Sequence, residues 1–535
     1  MNTDQGIFAY LSDWLDAPDK VLIEYYKRAF TQAEFREIVL KTAGFLNKNG
    51  FVGSVAIMLP NIPEALFAIY GASASGLAAN LINPRLPANT LRRILSKTGS
   101  KVIFLYDKLL PRHAEVLKEL DVKPVLCSPL YYRRPLKALY LLTKRSATED
   151  YFETIYGYAP ITPVAVDGSS AAAYIHSGGT TGEPKTVVIS AKALNELERA
   201  VVTSVHPDPS TIPDDGGMLM MLPVFHGFGL GISAHTIACH IRMVLEPVFK
   251  AKEAAKMIRR HKITHMAGVP SMYRKLAEEP AFKGKGLSKV MRVFCGGDIL
   301  SPEIKRKFDA ILHRYGSDAE ILEGYGLTET ASVVTVNPVG AVKERSQGKP
   351  LNGNRIKITA DGTELPPMTA GEIEVAPVSL MSGYFNDPAA TANAVYTDSE
   401  GVKWLKTGDM GYVDSDGYLY FSERIKRSLK IAAINVFPSE IEAVSATVPG
   451  VSGACAARMK DSNGKPYIRL YVETAEGAVL DGAMKNAIKK KISSSVMRYA
   501  VPREIVETDS LKLTPLGKVD YTYYEALAAE NKSEK

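Results

Sequence analysis

Residues 174–188 read YIHSGGTTGEPKTVV. An apolar strand runs into Ser177, Gly178, Gly179, Thr180, Thr181 and Gly182, then Pro184 and Lys185, and a second apolar strand follows. Glycines leave backbone N–H groups uncovered and able to curl around an anion. The hydroxyls add donors and the lysine adds charge, which suits a polyphosphate. The segment is not a Walker A loop. That pattern needs glycine before the lysine, where Pro184 stands, and it opens a helix, whereas TVVIS reads as strand. A ligand-free glycine-rich hairpin is the bland alternative. The run of small and hydroxylic residues ahead of a lysine argues against it.

Outward from this loop the chain alternates strand and helix patterns. Residues 32–49 carry helical spacing, 55–59 (VAIML) form a buried-strand run, 63–77 read as helix and 78–82 (AANLI) as strand; 101–106 (KVIFLY) and 123–127 (KPVLC) continue the series. Helix is expected at 188–204 and 251–261, and strand at 217–222 and 263–267. Strands separated by helices imply a parallel α/β sheet. After about residue 340 the texture changes to short strands with Gly, Asp and Pro turns, a small antiparallel or barrel-like region. After Lys426 helix and strand alternate again: PSEIEAVSATV, GACAARM, YIRLYVE and a basic helix from 481 to 499. The reading is an α/β protein: a large N-terminal domain, 1–426, of two α/β subdomains and the barrel-like region, and a smaller α+β domain, 427–535.

The chain has 535 residues, 46% hydrophobic and 23% charged, an ordinary globular composition too long for one core. Its net charge of +7 accords with anionic ligands such as nucleotides, but so would an average surface. Cys127, Cys239, Cys295 and Cys455 are far apart, so neither a zinc ribbon nor a CxxC pair is available, and a reducing cytoplasm is expected. The N-terminus shows no signal-peptide pattern, and no apolar run reaches the ~18 residues of a spanning helix. Residues 131–145, YYRRPLKALYLLTKR, mix basic residues with tyrosines and leucines. A solvated helix or linker is the preferred reading, and weak association with a lipid surface the alternative.

The loop resembles the phosphate loop of the adenylate-forming superfamily, which includes acyl-CoA synthetases, aryl-CoA ligases, luciferases and nonribosomal adenylation domains. Further motifs follow in the family's order. Residues 222–229, LPVFHGFG, are similar to its LPxFHxxG segment, which puts His226 near the acyl site; whether that histidine is functional or structural stays open. FCGGDILS, 294–301, resembles the turn that passes the adenine, with Gly296, Gly297 and Asp298. EGYGLTET, 323–330, is similar to the YGxTE motif, with Glu323, Gly324, Tyr325 and Gly326. The resemblance implies that Tyr325 stacks on adenine, Thr328 contacts the α-phosphate, and Glu329 holds magnesium together with Thr181. KTGDMG, 406–411, matches the TGD motif, whose Asp409 would accept bonds from the ribose hydroxyls.

SERIKRSLKIAAINVFPSEIE, 422–442, resembles the interdomain hinge, with Arg424, Lys426, Lys430, Val436, Pro438, Glu440 and Ile441 matching. Three positions depart: Glu423 replaces a glycine, Arg427 the hinge aspartate, and Ala433 the glycine beside which pantetheine passes. LKLTPLGKVDY, 511–521, resembles the LPxTxxGK motif, in which Lys518 bridges the attacking carboxylate and the α-phosphate; Lys512 replaces the motif's proline. Lys485, Lys489, Lys490, Lys491 and Arg498 could attract CoA phosphates, but a solvated helix face is the preferred reading.

The resemblance implies an AMP-forming acid–thiol ligase using ATP, Mg2+ and coenzyme A. A fatty or aryl acid is activated as acyl-AMP, with Lys518, Glu329, Thr181 and His226 as catalytic residues, and the acyl group then passes to CoA. The small domain is expected to rotate about the hinge between the two steps. An acyl-AMP ligase loading a carrier protein is the alternative that Ala433 keeps open. A nonribosomal-type enzyme is disfavoured because PVFHGFGLG, 223–231, has no acid to pair with a substrate ammonium. Phe228, Leu230 and Ile232 suggest an apolar pocket wall, and no nucleic-acid partner is expected.

Overall fold

The computed structural model describes residues 2–132, 150–176, 185–206, 208–424, 429–431, 434–436, 438–461, 465–496, 500–513 and 519–530, with backbone alone at 209, 423, 424, 429–431, 434, 435 and 528–530. They fall into two compact units: 1–179, 184–355 and 375–405 in the first, and 356–374 and 406–535 in the second. The expected boundary at 426/427 and most of the basic segment 131–145 lie outside the described residues.

The first unit contains two sheets. In one, the described strands run in the order Gly383–Tyr384, Thr186–Ser190, Ala171–His176, Ala78–Leu81, Ser54–Met58, Val102–Tyr106, Lys123–Cys127. The last five are parallel. Ser54–Met58 is buried along its whole length, so its sequence is a continuous apolar run rather than an alternation, as covering on both faces requires. Helix Pro63–Ala74 is likewise buried all round. It packs so closely on helix Gln32–Lys48 that a Cβ on Gly71 would come within 2.7 Å of Thr42. The second helix starts in a capping box between Thr31 and Glu34.

One sequence expectation needs correction here, the start of the helix after the glycine loop. The strands flanking the glycine loop pair antiparallel, His176 opposite Thr186. Only nine residues, 177–185, join them, fewer than the dozen or so that a parallel crossover needs. The helix expected from 188 begins at Ala191, because 186–190 are drawn into that hairpin; Ser190 caps it by accepting from the Ala193 N–H at 3.2 Å.

The other sheet of this unit has the order Lys349–Pro350, Val333–Val336, Ile321–Gly326, Arg292–Cys295, Ile263–Gly268, Gly217–Met220, Arg242–Leu245, Val21–Tyr25, Arg28–Thr31. It is parallel through its middle and antiparallel at both margins. Tyr273, Phe308, Leu219, Met266 and Ile321 form the core on one of its faces.

In the second unit, strands Lys403–Val413 and Leu419–Arg424 pair antiparallel beside Gly371–Ala376, Arg355–Ala360 and Thr363–Glu364. Farther on, Val451–Lys460 pairs antiparallel with Pro466–Thr474, which pairs parallel with Glu504–Thr508 across helix Gly482–Ser495. A separate apolar core joins Val436, Ile441, Ile468, Leu470, Ile488 and Ile492. Ile488 and Ile492 are the buried positions of that basic helix, while Lys490 and Lys491 are exposed, which agrees with a solvated face. Among the described residues no helix is long and apolar enough to cross a membrane.

Truncating Ile488 to alanine removes a fully buried side chain from this second core, a loss of about 2–5 kcal/mol. Amide exchange in Val451–Lys460 and Pro466–Thr474 is therefore expected to accelerate by roughly two orders of magnitude, with Ser54–Met58 unaffected. Equal acceleration in Ser54–Met58 would show that the two cores open together.

Candidate active site

The site is built around a tight turn. Strand Ile321–Gly326 ends at a glycine whose Cβ would sit 1.9 Å from the Ser332 carbonyl oxygen, so no other residue fits. Thr330 stabilises the turn that follows: its hydroxyl accepts from the Leu327 N–H at 3.1 Å and donates to the Ser332 carbonyl at 2.8 Å. Ala331 takes a left-handed φ of +59°, and the chain returns as Val333–Val336. The turn presents Glu329. Its backbone carbonyl accepts from the Met381 N–H at 2.8 Å, and the Ser379 hydroxyl donates to the Thr330 carbonyl at 2.8 Å.

These bonds bring Tyr384 to Glu329. The Tyr384 hydroxyl donates to Glu329 Oε1 at 2.9 Å, and Lys185 Nζ lies 4.3 Å from the centre of the same ring, a cation–π contact. Tyr384 is placed by its pairing with Val187, two residues beyond Lys185. Burial, and then the negative charge of Glu329, push the phenol above its ordinary range, so it stays protonated as a donor at neutral pH. The lysine that follows the glycine loop and the carboxylate of the YGLTE turn thus share one tyrosine. Sequence reading missed Tyr384, since a Gly-Tyr pair on a short strand carries no signal of its own.

His176 precedes the loop. Its Nε2 lies 2.7 Å from Asn80 Oδ1 and its Nδ1 3.2 Å from the hydroxyl of Thr186, so the two strands are clamped where the loop leaves and re-enters. Burial lowers its pKa to about 4, which keeps the ring neutral.

His226 is the N-cap of helix Gly227–Ala238, half-buried, with its ring 4.7 Å from that of Phe225. A Cβ on Gly227 would lie 1.8 Å from the Ala331 carbonyl oxygen, so the helix start presses directly on the Glu329 turn. The space beside Gly296 is bounded by the Gly324 carbonyl and the Phe228 ring, 3.2 and 3.5 Å from where a Cβ would stand. The segments 222–229, 294–301 and 323–330 therefore converge. Asn61, also missed in the sequence, ties the first of them down: its amide donates to the carbonyls of Met220 and Leu222, and its oxygen accepts from the Val224 N–H.

Gly297, with φ +82°, and Asp298 are exposed, and the Asp298 carboxylate accepts from the Ile299 N–H. Glu323 is 3% exposed; its Oε1 accepts from Gln347 Nε2 at 2.9 Å and from the Leu300 N–H at 3.4 Å, linking its strand to the 296–300 turn. Burial outweighs these bonds and raises its pKa to about 7. Tyr325 is 8% exposed and opposite Thr335 in the sheet.

Asp409 belongs to the second unit, buried on Lys403–Val413. Its N–H donates to the Thr407 hydroxyl at 3.1 Å, which donates to the Ile373 carbonyl at 2.6 Å, and Gly408, with φ +69°, donates to Glu372. Arg424 is backbone-paired with Asp409, and Lys430 with Asn435; their side chains lie outside the described residues. So do Ser177, Gly178, Gly179, Thr180, Thr181, Gly182, Ala433 and Lys518.

Residues 13–385 match the AMP-binding enzyme family, and residues 440–518 match the AMP-binding enzyme C-terminal domain. The chain belongs to the AMP-binding enzyme family. It is thereby an adenylate-forming enzyme. Among its relatives are a long-chain-fatty-acid–CoA ligase of Bacillus subtilis (strain 168), 29% identical over 94% of this chain and 90% of that protein, and 4-coumarate–CoA ligase 2 of Nicotiana tabacum, 28% identical over 92% and 88%. The fold is shared with ATP-bound MatB from Rhodopseudomonas palustris, with a TM-score of 0.84 at 22% identity over 99% of this chain and 100% of that one.

In this AMP-binding enzyme, Glu329 suits magnesium. It is a hard oxygen donor whose Oε1 is oriented by Tyr384, while Oε2 has no partner among the described residues.

Two outcomes are expected. Tyr384→Phe removes a hydrogen bond to a charged group, an interaction worth about 1.5–3 kcal/mol. Acid-dependent pyrophosphate release should slow at least about tenfold, with a higher magnesium requirement. Unchanged kcat and magnesium dependence would show that the tyrosine does not orient Glu329. Because the folded enzyme holds the Glu323 proton up to about pH 7 and the unfolded chain releases it near 4.5, folding stability should fall as pH rises through that window, by about 3 kcal/mol. Glu323→Gln should flatten the dependence of the urea midpoint between pH 5 and 8; an equally steep curve in the variant would assign the slope to other groups.

Proposed function

We propose that the protein is an AMP-forming acid–CoA ligase acting on an apolar carboxylic acid, fatty or aryl. The observation that carries this reading is the meeting of Lys185 and Glu329 on Tyr384. It sets a cation for phosphate oxygens beside a carboxylate that would repel them unless a divalent cation intervened. The CoA ligases named above supply the acceptor.

In the first half-reaction an oxygen of the substrate carboxylate attacks the α-phosphorus of ATP. The P–O bond to the β-phosphate breaks and pyrophosphate leaves. Lys185 and the loop hydroxyls of Thr180 and Thr181 hold the leaving phosphates, Thr328 contacts the α-phosphate, and Lys518 bridges it to the incoming carboxylate. Glu329, with Thr181, would hold magnesium, which neutralises charge on the phosphates when bound. Tyr325 carries the adenine and Asp409 the ribose. In the second half-reaction the CoA thiolate attacks the acyl carbonyl, and the carbonyl–oxygen bond to AMP breaks. His226 stands where the acyl carboxylate enters. Lys518 serves the first step only, on the small domain 427–535.

The acid is apolar because 223–231 carries no acidic residue, and Leu230 and Ile232 are buried on the helix that follows His226. All four cysteines are buried thiols, which accords with a cytoplasmic enzyme.

The test is pyrophosphate release from Mg-ATP across a panel from acetate through long-chain to aromatic acids, with and without CoA. Turnover requiring an apolar acid and CoA, with thioester as product, is expected, and Lys518→Ala should slow acyl-adenylate formation by about a hundredfold or more. Accumulation of acyl-AMP despite CoA would overturn the acceptor in favour of a carrier protein, with Ala433 as the cause. No acid-dependent pyrophosphate at all would overturn the whole reading.

A further inference from the structure

The hairpin that carries the glycine loop is backed by a line of polar side chains to which the adenylation chemistry assigns no role. His176 and Thr186 are the cross-strand pair nearest the loop, and the nine residues between them, 177–185, include Thr180, Thr181 and Lys185. Behind His176 stands Asn80, on the neighbouring parallel strand Ala78–Leu81. Behind Asn80 stand Thr98 and Ser100, and the Ser100 hydroxyl bonds that of Ser54 at 2.7 Å. Asn80, Ser54, Ser100 and Thr186 are each no more than 1% exposed.

The bonds run in one direction. The Thr98 hydroxyl donates to the Ile94 carbonyl at 2.8 Å, so it accepts from the Asn80 amide nitrogen, 2.9 Å away. That turns the Asn80 oxygen toward His176, whose Nε2, at 2.7 Å, carries the hydrogen. Nδ1 is then a lone pair, and it accepts from the Thr186 hydroxyl at 3.2 Å. Burial keeps the ring neutral, as this arrangement requires. Apolar contact would hold two strands together without direction. A satisfied line of hydrogen bonds also fixes where each member stands.

We propose that His176 is a positioning residue for the polyphosphate of ATP, setting Lys185 over Tyr384 by way of Thr186. The inference rests on the reading of 177–185 as the phosphate loop. Thr186 directly follows Lys185. Its carbonyl accepts from the Phe385 N–H at 2.8 Å, and the Val188 carbonyl accepts from the Ser382 N–H at 2.8 Å. Strand Thr186–Ser190 is thus held by the hairpin and His176 on one side and by 382–385 on the other. Between these holds Lys185 Nζ lies 4.3 Å from the centre of the Tyr384 ring, whose hydroxyl donates to Glu329. A slip of one residue in this strand would turn its side chains to the opposite face and take the lysine from Glu329.

The experiment is calorimetric titration of the full-length chain and its variants with AMP and with the magnesium complex of α,β-methylene-ATP, a non-hydrolysable analogue. AMP lacks the β- and γ-phosphates that the loop and Lys185 would hold. Thr186→Val keeps the shape of the side chain and leaves Nδ1 without its donor. The analogue should then bind about three- to tenfold more weakly, with KM for Mg-ATP in acid-dependent pyrophosphate release raised by a similar factor and AMP affinity unchanged. Thr186→Ser restores the hydroxyl and should recover most of the loss. His176→Gln, which offers one amide donor and one acceptor, should likewise bind the analogue more tightly than His176→Leu. Unchanged analogue affinity in Thr186→Val would overturn the proposal. Equal losses for AMP and the analogue would overturn it too, making the line a support of the whole fold. A wild-type chain that binds AMP but not the analogue would overturn the phosphate reading of the loop, and this inference with it. Selective loss of the analogue in Thr186→Val, in a wild-type background without acid-dependent pyrophosphate release, would uphold the role of His176 and overturn the ligase reading. The Thr186 pair decides the matter even if His176→Leu does not fold.

Discussion

Helix Gly227–Ala238 starts so close to the turn that carries Glu329 that a single methyl group at Gly227 would fall 1.8 Å from the Ala331 carbonyl oxygen. The rest of the site depends on this approach. It fixes the height of His226 and Phe228 against the turn, and Phe228 in turn bounds the space at Gly296. A second glycine contact, that of Gly326 against the Ser332 carbonyl, folds the turn back on itself. Close-packed backbones of this kind do not deform by small steps, so the positions of three separate sequence segments are set together.

Charge inside the first unit is handled by three different devices. Glu329 stays partly exposed and accepts a hydrogen bond from a phenol, so its charge is shared between solvent and one neutral donor. Glu323 is buried against an amide and a backbone N–H, neither of which carries charge, and burial therefore lifts its pKa towards neutrality. Glu198 is buried beside His235, whose Nδ1 lies 3.2 Å from its Oε1 and can carry a compensating proton. A carboxylate's environment, and not its residue type, decides whether it serves as a ligand, a strut or a counter-charge.

Much of the architecture is legible in local pattern. Buried runs such as SVAIM and the helical spacing of 63–74 are short-range signals, and they locate the parallel strands and the helix that covers them. The strands around the glycine loop pair antiparallel because their nine-residue connection is too short for a crossover, and the helix after them starts three residues later than its spacing suggests. Tyr384 and Asn61 escape a reading of the sequence because each acts on a partner far away in the chain: Tyr384 on Glu329, and Asn61 on 220–224.

The family, the order of the motifs and the chemical types available at each are legible in the chain alone, because they are properties of contiguous residues whose spacing the backbone preserves. Which of them meet is set by the fold. Lys185 and Glu329 are 144 positions apart, and nothing local to either marks the other; a strand pairing between Tyr384 and Val187 brings them to one ring. The same holds for Asn80, Thr98 and His176, which look like scattered residues in the chain and become one hydrogen-bonded line when two strands and a helix end pack together. Side-chain chemistry is written residue by residue, but proximity is set by long-range packing, where burial of apolar surface, rather than any local preference, chooses the neighbours.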